Sequence, residues 1–124
     1  MVLVASFLNL KATTEFLERQ QSSHLLVICS GTFDQAAFED VLGAGALCYH
    51  LFRETSRLHY SDSVSMATTL FLEVRDLKLA MSQSRNGRRL LSRPELEDDV
   101  AYCAQQNIFD FVAQMGKDGW VSRL

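Results

Sequence analysis

An α/β fold, with helices on both faces of a mostly parallel sheet in three layers, is predicted by three observations. Two short runs, Val2 to Ser6 and Leu25 to Cys29, are continuously apolar, as strands covered on both faces are. Helical periodicity occupies the stretch between them and the long stretches after the second. The order reads β-α-β-α-α-α-β-(β), and no segment alternates apolar with polar as a half-exposed strand does. At 124 residues and 48% hydrophobic, the chain is sized for a single α/β domain over residues 1–124.

The elements follow in order. Val2 to Ser6 reads as a buried strand, and Asn9 as the N-cap of a helix over Leu10 to Arg19. Leu10, Thr13, Thr14 and Leu17 share one face of that helix, which Ser22 and Ser23 end. Leu25 to Cys29 is the second buried strand. From Ala37 to Arg53, Phe38, Val41, Leu42, Gly45, Cys48, Tyr49 and Phe52 fall on one stripe. The small residues Gly43 to Ala46 lower helix propensity, and close approach to a sheet is the expected return. The polar stretch Glu54 to Ser63, with Asp62 as cap, precedes a second long helix over about Val64 to Ser82. Asn86-Gly87 punctuates the chain. Pro94 with Glu95, Glu97, Asp98 and Asp99 suits the first turn of a helix reaching about Gln106. Ile108 to Met115 reads as a strand, and Lys117-Asp118-Gly119 as a turn into Trp120 to Leu124. So few strands make a small sheet with an open edge, a liability that calls for a cover.

Composition narrows the function. A net charge of −3 offers no general attraction to nucleic acid or to anionic membranes, so neither is an expected partner. Three separated cysteines form no CxxC or Cys/His cluster, so no disulfide framework or zinc site is indicated. The first ten residues lack the basic start of a signal peptide, and no apolar run nears the roughly 20 residues that span a bilayer. A cytoplasmic home is expected.

The densest chemistry lies in His24 to Asp40, HLLVICSGTFDQAAFED. A strand end, a turn and a helix N-terminus in that order form a common place for a phosphate. Gly31 lets backbone amides approach an oxyanion and Thr32 adds a hydroxyl donor, although an ordinary βα turn looks the same. Glu39 and Asp40 are adjacent, so on a helix they diverge by about 100° and rarely chelate one ion together. One as a metal ligand with the other in support suits Mg²⁺, which takes one or two carboxylates plus water and phosphate oxygens. Acids in a first turn are also favoured by the helix dipole without any catalysis. Cys29, at the strand end, is a catalytic nucleophile or, more simply, a packed structural cysteine; the C-x5-R cradle of cysteine phosphatases is absent. Asn9 is a helix cap first and a substrate-facing amide second. Asp62, Asp98 and Asp99 are caps or first-turn acids, and His24, His50 and His59 show no mutual spacing. The arginines of Ser84 to Arg89 suit an anion or a solvated turn.

Six segments give a more specific signal together: SFLN (Ser6 to Asn9), CSGT (Cys29 to Thr32) with FEDVLGAGAL (Phe38 to Leu47), Ser61-Asp62, S-x-N-G-R-x-L (Ser84 to Leu90), EDDVAYCAQ (Glu97 to Gln105) and FDFV (Phe109 to Val112). In these motifs and their order the chain resembles the C-terminal half of the 2-phosphosulfolactate phosphatase family. The resemblance implies a Mg²⁺-dependent phosphatase of coenzyme M biosynthesis, acting on a small anionic phosphomonoester. It also implies half of a larger two-part α/β enzyme. The family's N-terminal half carries an Asp/Arg strand end and a Thr-Thr-Asn-Gly-Thr loop that this sequence lacks. By this resemblance Glu39 and Asp40 are the catalytic candidates and the metal ligands, and Gly31, Thr32 and Asn9 the substrate-binding residues; Cys29 stands as a third catalytic candidate by its position at the strand end beside them. Phe33, Asp34 and Gln35 stand where the family commonly has a glycine and a basic residue. The alternative is a non-catalytic truncated relative acting as a binding or oligomerisation module. Pairing with an N-terminal half, or a homo-oligomer over the open edge, fits either reading.

Overall fold

The computed structural model describes residues 1–20, 22–53 and 59–124. They form strand β1 (Val2–Val4), helices α1 (Leu10–Gln20), α2 (Phe38–Phe52), α3 (Asp62–Glu73), α4 (Leu77–Gln83), α5 (Arg85–Leu91) and α6 (Glu97–Cys103), and strands β2 (Ala113–Met115) and β3 (Val121–Arg123). Short 3-10 turns at Phe7–Asn9 and Pro94–Leu96 lead into α1 and α6. The architecture is α/β, with most of its burial among the helices.

The core forms around α2. Leu42, Ala46 and Leu47 are buried with Phe7 and Leu10, and Leu17, Leu70, Phe71, Val74 and Leu77 pack against them. Gly45 explains how α2 meets α3 so closely: a Cβ there would lie 2.1 Å from the Ala67 carbonyl oxygen. The small residues of α2 therefore admit a helix, where the sequence suggested a sheet. Phe71 of α3 then reaches both Phe7 and Tyr49, with ring centroids 6.5 and 6.0 Å apart.

The predicted helix from Val64 to Ser82 is two helices. Val74 takes an extended conformation, and the Asp76 carboxylate accepts from the Leu79 amide at 2.9 Å, capping a fresh N-terminus. Ser61 takes the cap position expected of Asp62, which becomes the first residue of α3. Residues 54–58 of the predicted polar stretch lie outside the described residues. Asn86-Gly87, read as a turn, lies inside α5. Ser84 caps that helix through the Gly87 amide at 2.9 Å, and a Cβ on Gly87 would meet the Met81 carbonyl at 1.9 Å. That glycine marks a close approach.

The sheet departs most from the sequence reading. Its order is β1-β2-β3 and both pairings are antiparallel, with Val2 opposite Met115 and Met115 opposite Val121. A turn through Lys117–Gly119, with Gly119 at φ 82°, is too short for the crossover that parallel strands need. The turn and the final strand are as the sequence predicts, but β2 is only three residues long. Residues 107–109 instead clip onto the start of α1: the Asn107 amide donates to Phe7 O and the Phe109 amide to Leu8 O, each at 2.9 Å. Asn107 Oδ1 also accepts from the Lys11 amide at 2.7 Å.

The predicted buried strand Leu25 to Cys29 is neither buried nor paired. Val27 packs against the core, but Leu26 and Ile28 are 81% and 78% exposed. Among the described residues, no hydrogen bond engages the backbone of Leu25 to Cys29. A continuous apolar run specifies a strand only where neighbours complete its ladder, and the described residues supply none.

Two stability predictions follow from these contacts. Gly45→Ala forces α2 away from α3 and should destabilise by about 1–3 kcal/mol. Gly43→Ala, whose Cβ meets only Phe7 Cε2 at 3.9 Å, should be neutral or gain up to about 1 kcal/mol from helix propensity. Denaturant midpoints of the two variants separate close approach from propensity. The second concerns His50, which burial and then the Arg53 guanidinium push below its ordinary pKa of 6.5. The unfolded chain takes the proton first, so stability should fall as pH drops below about 6.5 and level off under the folded-state value. Melting curves across that range should be flatter for His50→Gln.

Candidate functional site

The loop after Leu25–Cys29 is held by two helices. At Gly31 the backbone turns left-handed (φ 70°), and a Cβ there would lie 2.6 Å from the Gln35 carbonyl, so glycine is needed twice over. Thr32 and Gln35 close a two-residue hairpin with amide-to-carbonyl bonds of 2.9 and 3.2 Å. Phe33 and Asp34 form its tip with φ of 53° and 56°, the mirror-image turn that suits hairpins but rarely takes a phenylalanine. Backbone strain of this kind costs on the order of 1–3 kcal/mol per residue unless surrounding contacts hold it.

Those contacts come from α5. Arg85 Nη2 donates to Thr32 O at 3.0 Å, and Nη1 donates to Gln35 Oε1. The Arg89 guanidinium lies 5.1 Å over the Phe33 ring, a cation–π contact on an exposed side chain. Asn86 reaches further in: its Nδ2 donates to Thr32 Oγ1 at 2.9 Å and to Glu39 Oε1.

From the other side, α2 offers its first turn. Asp40 Oδ2 accepts from the Gly31 amide at 2.7 Å and from Ser30 Oγ at 3.3 Å. The Gly31 amide, expected to face an oxyanion, thus donates to Asp40. Glu39 and Asp40 diverge as adjacent helical residues must: Asp40 holds the loop, and Glu39 meets Asn86. Glu39 Oε2 is buried and, among the described residues, has no hydrogen-bond partner. A carboxylate oxygen left so beside the positive end of a 15-residue helix has capacity for a cation or a protonated partner.

The structure therefore brings Gly31, Thr32, Glu39 and Asp40 into one cluster with Cys29 at its rim. The reading of Cys29 as a packed thiol is corrected, because its side chain is exposed. Partial burial and the nearby Asp40 carboxylate still push the thiol above its ordinary pKa of 9.0. Asn9 lies elsewhere, 5% exposed, accepting from the Ser6 amide at 2.9 Å and donating to Val4 O at 3.2 Å. Its amide belongs to the entry into α1. Asn86 is the member that residue chemistry passed over; the Ser84 to Arg89 run was read for its arginines, of which Arg85 does reach the loop, and not for its amide. Asp98 sits apart, in an open cleft of about 410 Å³ that includes Asp76, Lys78 and Glu97 and none of the Gly31 cluster. Among the described residues, no group of three or more His, Cys, Asp or Glu side chains is placed to hold a metal ion. No helix among them is long and apolar enough to cross a membrane.

These features define an α/β protein with a strained loop clamped between a helix N-terminus and an Arg/Asn-bearing helix. The chain belongs to the 2-phosphosulfolactate phosphatase family, whose model matches residues 1–118. It is 32% identical to a probable 2-phosphosulfolactate phosphatase of Synechococcus sp. over 96% of its length, covering 50% of that protein. Proteins with the same name from Nostoc punctiforme and Thermotoga maritima are each 30% identical over 88% and 90% of this chain, covering 46% of their own length. The chain spans about half the length of the curated relatives it matches.

Thiol chemistry gives a direct check on the loop. Alkylation of Cys29, followed by peptide mass spectrometry, should reach half its maximal rate above pH 9. Asp40→Asn removes the carboxylate's charge and should lower that midpoint; an unchanged midpoint would mean that Asp40 does not face the thiol.

Proposed function

We propose that this chain is one half of a Mg²⁺-dependent phosphomonoesterase that acts on a small, strongly anionic substrate such as 2-phosphosulfolactate. The observation that carries the reading is the buried, unpartnered Glu39 Oε2, set beside Thr32 and Asn86 at the start of α2. An oxygen donor of this kind fits a hard divalent cation, with Asp40 behind it fixing the loop. When bound, such an ion polarises a phosphate oxygen and lowers the pKa of its water. The chain's own residues do the rest of the positioning. Asn86 Nδ2 holds the Glu39 carboxylate and the Thr32 hydroxyl beside each other by donating to both. Arg85 holds the hairpin and adds positive charge beside it. Cys29, with its thiol pushed up, remains protonated near neutral pH and is a poor resident nucleophile, which favours attack by water.

Family membership supports phosphatase chemistry, while the substrate is inferred from the relatives' names and from the demand of an anionic monoester for cations. The relatives' further length supplies the remaining ligands and cationic groups in this scheme. The larger fold they build, three layers around a mostly parallel sheet, is part of the same proposal, as are a role in coenzyme M formation and a cytoplasmic location for these free thiols. A second reading, a non-catalytic binding module, draws on one observation: the Gly31 amide already donates to Asp40 and is not free for phosphate.

Two assays decide. The isolated chain should show little or no Mg²⁺-dependent hydrolysis of phosphomonoesters; robust turnover by it would remove the case for a second half. In a complete two-half protein, Glu39→Gln should lower turnover on the order of 100-fold or more while the fold is retained. An unchanged rate would favour the binding module.

A further inference from the structure

Resting on the reading of this chain as one half of an enzyme, we propose that Leu25–Cys29 is an open strand position. A β-strand from the other half of the family's polypeptide fills it and brings that half's residues to the Gly31 loop. Three features of the segment carry the inference. It has no regular secondary structure and no hydrogen bond among the described residues engaging its backbone, so it offers a full row of donors and acceptors. Within it only Val27 packs against the core; Leu25 and Cys29 are exposed, and Leu26 and Ile28 are the most exposed apolar side chains of the run, at 81% and 78%. A strand with one wet face would carry polar residues at those two positions, and Leu and Ile there specify a strand covered on both faces.

The occupant follows from length. The matched relatives are about twice as long as the region they share with this chain, and their further residues lie on the same polypeptide. Such a tethered segment reaches the open position at high effective concentration. No charged residue lies between Leu25 and Cys29, so the cover is neutral and apolar. Burying Leu26 and Ile28 would contribute about 1.5–3 kcal/mol each. The segment runs directly into Ser30 and Gly31. In open α/β sheets ligands gather at the carboxyl ends of strands, so a strand added alongside ends beside Thr32, Glu39 and Asn86.

The test co-expresses this chain with the portion of the Thermotoga maritima relative that lies outside the match. The expected result is a one-to-one complex by light scattering, with the amides of Leu26 to Ile28 exchanging at least about 100-fold more slowly than in the chain by itself. Leu26→Lys with Ile28→Lys should abolish the complex and leave the melting temperature of the isolated chain unchanged. Leu72→Lys, an exposed apolar position on α3, should leave the complex intact. Three results overturn the proposal: no complex, a complex in which residues 25–29 exchange freely, or concentration-dependent protection in the chain by itself, which would make a second copy the occupant. A protected complex without phosphatase activity would sink the phosphatase reading and leave the strand position standing.

Discussion

The close crossing of α2 over α3 at Gly45 is the constraint on which the rest of the molecule depends. With the Gly45 Cα close to the Ala67 carbonyl, Leu42 and Ala46 lose all contact with water. Phe7, Leu10 and Leu47 gather around them. That core fixes the axis of α2 and therefore the position of its first turn. Burial several residues further along the helix places the backbone of Glu39 and Asp40, and their bonds to Asn86 and Gly31 then hold the side chains. A helix end with no side-chain cap at Ala37 is free to put its acids to other uses, and it does so by holding the loop.

The loop shows how several modest interactions keep an unfavourable backbone in place. Two consecutive left-handed residues, one of them a phenylalanine, would not persist in an isolated peptide. Here the hairpin is gripped by Asp40 at Gly31, by Arg85 at Thr32 and Gln35, and by Arg89 at the Phe33 ring. The break between α4 and α5 makes this grip available. Ser84 ends one helix and starts the next, and Gly87 lets the new helix lie against Met81, which turns Arg85 and Asn86 toward the loop. The strain and the unpartnered Glu39 oxygen occur together, as is common where a fold has been arranged around a ligand.

The distribution of apolar surface is uneven. The helical core is well covered, yet Leu26, Ile28, Trp120 and Val121 are exposed, and β3 has no residue out of solvent. Scattered exposed apolar residues are ordinary, but a whole strand-like run of them is not. Of these, Leu26 and Ile28 lie within a few residues of the Gly31 loop, in a chain that spans about half the length of the curated relatives it matches.

Several local signals survived folding. The stripe from Phe38 to Phe52, the acids after Pro94 and the Lys117–Gly119 turn were legible, because periodicity, first-turn charge and glycine turns act over a few residues. The apolar start is a strand as read but not a buried one: β1 is an edge strand, with Val2 and Val4 exposed. The clustering of Gly31, Thr32, Glu39 and Asp40 was legible for the same reason, since they are near neighbours in the chain. What tertiary structure decided was every contact between distant segments. Sheet direction depended on which ends of the chain met, and the helix break at Val74 on a cap at Asp76 that periodicity does not register. Gly45 and Gly87 proved to be points of helix contact, and Asn86 joined the site across 47 residues from Glu39. The fate of Leu25 to Cys29 is the clearest case. Its sequence specifies a strand, but a strand is a relation between segments, and the described residues contain no neighbour for it.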